Sequence, residues 1–259
     1  MARKIFNADF FSVFKPWICF ASGCLFGAIL TVIGQIGMYR MTYLFSTSLL
    51  SLGVLGFYCF PVATIVLLIK NYAVLFIRRG YLTFMLPVKR STLVLSTVLT
   101  AGLFILMTAG VMIVNAAFCA FLESLFIPEY RLFGDLFFGD INVLQTCTTL
   151  VILLLCALGF VTGVYMLITS FRINAALGKR NGGKIAAIVV GGTILLQTLA
   201  LSLLIEGLSA IYPYAAYQTD VRAAYGTIVD LASIIGLVTI NAVFIVRALY
   251  LVENRLNLR

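Results

Sequence analysis

Histidine is absent from this 259-residue chain, and charged residues make up only 10% of it. Without an imidazole, neither a Ser-His nor a Cys-His catalytic pair can be built. The nine acidic residues include none near the middle of an apolar run, so paired carboxylates for hydrolysis are missing as well. We therefore predict that the chain is not an enzyme and carries neither catalytic residues nor a metal site.

Cysteine is scarce, and its spacing does not match that of metal ligands. All six cysteines fall inside apolar stretches, where a thiol behaves as a small apolar group. They are Cys19, Cys24, Cys59, Cys119, Cys147 and Cys156. A disulfide between Cys119 and Cys147 is left open, because both lie near the same ends of neighbouring apolar stretches.

Hydrophobic residues, by contrast, make up 63% of the chain, which is typical of a membrane protein. Six stretches are apolar enough, and at about 20 residues or more long enough, to cross a bilayer as helices. They are residues 17–36, 47–69, 92–122, 143–171, 185–205 and 226–246. We predict one all-α membrane domain over 1–259, with a kink at Pro61 in the second span.

The first sixteen residues have an amphipathic pattern. Phe6, Phe10, Val13 and Phe14 share one helical face, with Lys4, Ser12 and Lys15 opposite. This predicts a helix lying on the inner membrane surface, with Pro16 ending it and the first span following. A frayed basic tail is the alternative.

Basic residues are distributed unevenly between the predicted loops. With the N-terminus inside, the cytoplasmic segments carry a net charge of +13 and the outer segments −4, which together give the chain's +9. Lys and Arg concentrate in cytoplasmic loops, so the pattern predicts six spans with both termini inside. The positive charge is therefore explained by topology and indicates no nucleic-acid partner.

The last outer segment, 206–225, is rich in tyrosine and alanine. Tyrosine prefers the membrane interface. We predict one or two short re-entrant helices here, with a plain interfacial loop as the alternative.

Between the second and third spans, the loop 70–91 contains a short apolar run flanked by basic pairs. Gly80 permits a sharp turn, and Pro87 ends any helix begun before it. The run is too polar at its ends to enter lipid and too apolar for a solvated loop, which predicts a docking surface for another protein. Its residues are Arg78, Arg79, Gly80, Tyr81, Leu82, Thr83, Phe84, Met85, Leu86 and Pro87.

Gly-Tyr-Leu-Thr-Phe-x-Leu-Pro-Val, at 80–88, resembles the first cytoplasmic loop of bacterial type-2 ABC transporter permeases. The resemblance implies that this loop is a coupling helix, bound by one of two separate ATP-binding subunits that hold ATP and Mg²⁺. It also implies a plasma-membrane exporter, paired with an identical or different permease subunit. It favours the interfacial N-terminal helix and the re-entrant version of 206–225. Where the family often has an acid before Gly-Tyr-Leu, this chain has Arg79.

No nucleotide site of its own is predicted. The stretch from Gly178 to Lys184 nearly matches a phosphate-binding loop, but Ile185 stands where a hydroxyl would ligate magnesium. The energy for transport must then come from a partner. We expect no cofactor in this chain.

The cargo path is predicted only in outline. An apolar route along the second and fifth spans would suit an amphipathic peptide, a lipid or a hydrophobic drug. Among these, the family resemblance favours an antimicrobial or other toxic peptide. The candidate residues of the route are Phe57, Tyr58, Phe60 and Gln197. An ion-coupled carrier or channel and a non-transporting membrane scaffold are the alternatives, and the direction of transport stays open.

Small residues recur at four-residue spacing in three spans, as in Gly23-x-x-x-Gly27, Gly159-x-x-x-Gly163 and Ala187-x-x-x-Gly191. Such spacing lets helices approach closely. Packing within one subunit is the simpler use, and a dimer contact through the first and fifth spans is the sharper alternative.

Overall fold

The computed structural model describes residues 2–40, 43–77, 89–126, 143–176, 188, 191–192 and 219–255. These residues are helical apart from Lys89. The long helices are α1 (Ala2–Arg40), α2 (Tyr43–Ile77), α3 (Arg90–Phe126), α4 (Val143–Ala176) and α5 (Thr219–Arg255). In lipid the backbone must satisfy its own polar groups, and a helix does so within one segment.

Five helices are long and apolar enough to cross a membrane, as in a multi-pass membrane protein. Their spanning segments are Phe6–Gln35, Ser46–Val74, Ser91–Leu122, Leu150–Arg172 and Leu231–Glu253. Large apolar side chains on these helices remain exposed, with Phe26, Val114 and Leu153 each more than 60% accessible. Such surfaces are stable when lipid covers them. The all-helical membrane fold is confirmed at this level.

Several predicted boundaries need correction, and each correction lengthens a helix. Helix α2 ends at Ile77 rather than 69, and α5 begins at Thr219, within the predicted re-entrant segment 206–225. Residues 2–40 form one continuous helix, so Pro16 does not separate an N-terminal helix from the first span. Phe10 and Trp17 both contact the ring of Phe104, with centroid distances of 5.1 and 5.7 Å, and so hold α1 on either side of Pro16. The amphipathic pattern is present, because Val13 is buried while Ser12 and Lys15 are exposed.

The predicted loop between the first two spans, 37–46, is mostly helical. Helix α1 runs to Arg40 and α2 begins at Tyr43. A Cβ at Gly34 would lie 2.7 Å from the backbone nitrogen of Leu50, and one at Gly37 would lie 2.8 Å from Ser46 Oγ. Glycine therefore lets α1 and α2 pack closely right up to their connection.

Two compact units divide the chain. The first contains Arg3–Asn71 and Leu99–Ile141, and thus most of α1, α2 and α3. Here α1 and α2 are antiparallel, since Gly27 faces Gly53 while Gly37 faces Ser46. Helices α1 and α3 are parallel, because Trp17 contacts Thr108 and Ala28 contacts Cys119.

The second unit contains Met1–Ala2, Tyr72–Val98 and Asn142–Arg259. Its helices α4 and α5 pack in parallel, with Thr162 bonded to Asn241 and Met166 packed on Phe244 and Ala248. The end of α2 joins this unit at Tyr72. The predicted fifth span, 185–205, lies mostly outside the described residues, of which Ile188, Gly191 and Gly192 are helical.

Candidate functional site

The predicted docking segment begins where α2 ends and finishes just before α3. Helix α2 extends to Ile77, and α3 begins at Arg90 with Thr92 N–H bonded to the carbonyl of Lys89 at 3.0 Å. Arg78, Arg79, Gly80, Tyr81, Leu82, Thr83, Phe84, Leu86 and Pro87 themselves lie outside the described residues. The described part of the site is therefore its two helical supports.

The support on the α2 side centres on Tyr72, which is fully buried. Its hydroxyl lies 2.6 Å from Thr169 Oγ1 of α4, and its ring stacks on Tyr165 with a centroid distance of 3.9 Å. Thr169 donates its own proton to the carbonyl of Tyr165 at 2.8 Å, so in this arrangement Tyr72 is the donor to Thr169. The end of α2 is thereby held on α4 by a directional contact.

Nearer the start of α4 than Thr169, the amide of Asn241 from α5 makes three hydrogen bonds. Nδ2 donates to the carbonyls of Leu155 at 3.2 Å and Leu237 at 2.9 Å, and Oδ1 accepts from Thr162 at 3.0 Å. Gly159 lies beside this amide, and a Cβ there would be 3.4 Å from Nδ2, at van der Waals contact. The Asn side chain thus joins α5 to α4 inside the apolar layer.

In the first unit, a polar node joins three helices. Trp17 Nε1 donates to Thr108 Oγ1 at 3.0 Å, and Thr108 lies 3.2 Å from Thr64 Oγ1. Seven residues further on, Asn115 donates to Cys24 Sγ at 3.3 Å. Because these groups are buried and bonded to one another, they serve as interhelical contacts of a kind common in membrane helices.

The cargo-path residues have different environments. Phe57 and Phe60 are buried, and the Phe60 ring packs on Trp17 with a centroid distance of 5.7 Å. Tyr58 is 63% exposed near the middle of the α2 span. Gln197 lies outside the described residues. Of the described three, only Tyr58 presents its side chain outward.

Glycine packing within the chain is confirmed for two predicted positions. Gly27 lies against Gly53 and Gly56 of α2, and Gly159 lies against Asn241. At Gly23 and Gly191 a Cβ would meet no described atom within 4 Å. Cys119 forms no disulfide among the described residues, and its thiol donates to the carbonyl of Ala28 at 3.7 Å, while the Cys147 side chain is outside the described set.

Sequence reasoning missed Tyr72 and Thr108 as site residues. Tyr72 lies beyond the predicted end of the second span at 69, and so was counted with the loop. A longer α2 would have been signalled by the apolar run Tyr72–Ile77, which continues past the lone Lys70 and Asn71. No family model, no curated protein and no solved structure matches this chain.

Proposed function

We propose that this chain is the membrane-spanning permease subunit of an ATP-driven ABC exporter in a bacterial plasma membrane. Two separate ATP-binding subunits supply the energy, and a second permease subunit completes the pathway. The cargo is an amphipathic molecule, with a peptide as the first candidate. ATP and Mg²⁺ are bound by the partner subunits.

The observation that carries the proposal is the stretch Arg78–Pro87, basic at its start and apolar after it, between two membrane-length helices. An apolar run that neither enters lipid nor faces water needs a protein partner to cover it. Its likeness to the coupling segment of type-2 permeases favours an ATPase as that partner. Arg78 and Arg79 favour an acidic groove on that ATPase.

Six spans with both termini inside are part of the proposal. Helices α4 and α5 pack in parallel, so two crossings in the same direction need a return crossing between them, for which 185–205 is the apolar candidate. The exposed basic residues Lys15 and Lys70 lie at one end of the first unit, where Ser12 bonds Asn71 at 2.9 Å. Basic ends favour the cytoplasmic side.

The buried polar groups favour an external energy source. Each buried polar side chain in the described part of the chain is a neutral Ser, Thr, Asn or Gln. Carriers driven by protons or sodium usually keep an ionisable group or a broken helix near mid-membrane. A permease driven by a partner ATPase needs neither.

The test is co-purification with a soluble ATPase, which we expect to be encoded by a neighbouring gene. Replacing Arg78→Glu and Arg79→Glu together should abolish the complex, because both charges would then repel an acidic groove. The matched control is the pair Lys15→Glu and Arg247→Glu, which changes net charge equally at exposed residues outside the docking segment. Full assembly of the Arg78/Arg79 variant would contradict the proposal.

Transport itself is measured in vesicles that contain the chain with its ATPase and a fluorescent amphipathic peptide. Uptake into inside-out vesicles should require ATP, and Tyr58→Ala should change the peptide concentration at half-maximal rate. Peptide or ion flux through the chain alone, without nucleotide, would favour a carrier or channel. ATPase binding without any flux would favour a scaffold.

A further inference from the structure

Tyr72 is close in sequence to the docking segment and is also packed against α4. It lies within the last two turns of α2, six residues before Arg78, and a helix rises about 1.5 Å per residue. The docking segment is therefore linked to this side chain by roughly 9 Å of chain, of which Tyr72–Ile77 is unbroken helix. Because this connection is short and mostly helical, a displacement of the segment should also displace Tyr72.

The contact that Tyr72 makes is directional. Apolar side chains can slide past one another at small cost, whereas a hydroxyl bonded at 2.6 Å and a ring stacked within 8° of parallel fix distance and orientation. Breaking the bond would cost free energy, because a hydrogen bond between two buried hydroxyls would be lost. A displaced α2 end therefore favours movement of α4 with it.

Helix α4 carries the next contact on the same stretch. Thr162 lies seven residues before Thr169 and bonds Asn241 of α5, and Met166 packs on Phe244 and Ala248. The α2 end and α5 thus hold α4 within about two helical turns of each other. The division of the chain into units agrees with this packing, because it places Tyr72–Val98 with α4 and α5.

We propose that Tyr72 is a positioning residue that transmits movement of a partner bound at Arg78–Pro87 to α4 and, through Thr162 and Asn241, to α5. This inference rests on the proposed function for the identity of the partner. The mechanical link from Tyr72 to α4 and α5 is a property of the chain itself. Tyr165 contributes the stacking surface and Thr169 the hydrogen-bond acceptor.

Hydrogen–deuterium exchange on the full chain, assembled with its ATPase in nanodiscs, tests the inference. ATP with vanadate should change exchange in peptides covering 72–77, 162–172 and 241–252 of the wild type. In Tyr72→Leu the change should persist at 72–77 and disappear from the other two, while the ATPase still co-purifies. The matched control is Tyr250→Leu, which replaces an exposed tyrosine of α5 and should preserve the change at 162–172.

Tyr72→Phe and Thr169→Val cover the case in which Tyr72→Leu does not fold. Tyr72→Phe keeps the ring and removes the hydroxyl, whereas Thr169→Val removes the acceptor together with its own hydrogen bond to the Tyr165 carbonyl. In both, exchange at 162–172 should rise roughly fivefold in the chain alone, as expected for losing a contact worth about 1 kcal/mol. Retention of the nucleotide-dependent change at 162–172 in all three variants would overturn the inference.

The isolated chain separates failure of this inference from failure of the proposed function. If no ATPase binds the wild type, the proposed function fails at the co-purification step. Faster exchange at both 162–172 and 241–252 in Tyr72→Phe would still support the link from α2 through α4 to α5. If Tyr72→Phe increased exchange only at 72–77, that link would be refuted, whether or not an ATPase binds.

Discussion

The amide of Asn241 is the clearest example of a side chain that unites two helices. One residue of α5 bonds two carbonyls and one hydroxyl, and two of those partners, Leu155 and Thr162, are on α4. Hydrogen bonds between membrane helices contribute about 0.6 kcal/mol on average and up to about 1.7 kcal/mol. Their value here lies in fixing the register of α4 on α5 as well as in stability.

Replacing Thr162→Val should therefore lower the free energy of unfolding by about 1 kcal/mol, because Asn241 Oδ1 loses its donor. The matched control is Thr239→Val on the exposed side of α5, where the hydroxyl bonds only its own helix, at Ile235. Unfolding in mixed micelles with increasing SDS measures both. Equal effects of the two substitutions would contradict an interhelical role for Thr162.

The aromatic residues of α2 should also respond differently to truncation. Phe60 is 2% exposed and contacts Trp17, so Phe60→Ala should lose about 3–5 kcal/mol through the cavity it leaves. Tyr58→Ala removes an outward-facing ring and should change stability by less than about 1 kcal/mol. The same SDS titration measures both, and a severe loss for Tyr58→Ala would show that this ring packs within the protein.

Among the elements, the α1–α2 pair depends most on the absence of side chains. At Gly53, a Cβ would fall 2.6 Å from the Gly27 carbonyl and 2.7 Å from the Thr31 nitrogen. Both are backbone atoms, which cannot move aside as the tip of a flexible side chain can. Because the two helices pack so closely, a connection of two residues is long enough to join them.

Gly34→Ala should push α1 and α2 apart and cost about 1–3 kcal/mol, because the added methyl meets the Leu50 backbone. Gly102→Ala in α3 is the control, since no described atom lies within 4 Å of its Cβ. That change should stabilise the helix by up to about 1 kcal/mol. Thermal unfolding in detergent would show the difference as Tm shifts of opposite sign.

Sequence reasoning located the five membrane-length helices that the structure describes, but it predicted them shorter than they are. The predicted spans 17–36 and 47–69 lie inside helices that run 2–40 and 43–77. Hydropathy detects the charge-free centre of a span. The helix itself can continue through polar residues such as Lys70 and Asn71, as long as the backbone hydrogen bonds between successive turns continue. The contacts of Tyr72, Thr108 and Asn241 depend on which helices are neighbours, and apolar periodicity does not encode that.

The whole molecule is described by two compact units, each with its own helix directions. In the first, the antiparallel pair brings Lys15 and Lys70 to one end. In the second, the parallel pair α4 and α5 brings Arg172 and Glu253 to one end. The orientation of each pair of helices in the membrane can then be determined by labelling a few residues near these ends.

Single cysteines at Lys15, Lys70, Arg172 and Glu253, in a background without the six native cysteines, should all react with a membrane-impermeant maleimide from the cytoplasmic side. A cysteine at Ser48, near the other end of α2, should not. This expectation follows from the proposed topology, in which six crossings return both pairs of helix ends to the same face. Labelling of Arg172→Cys and Glu253→Cys from opposite faces would exclude a return crossing between α4 and α5.

The short link between α1 and α2 bears on biogenesis. With two residues between the helices and glycine contacts beginning at Gly37 and Ser46, these neighbours in sequence can associate as soon as both have left the ribosome. We expect them to enter the bilayer together as a hairpin, before α3 has been synthesised. When α3 inserts, the hydroxyl of Thr108 would then find both of its partners, Trp17 and Thr64, already in place.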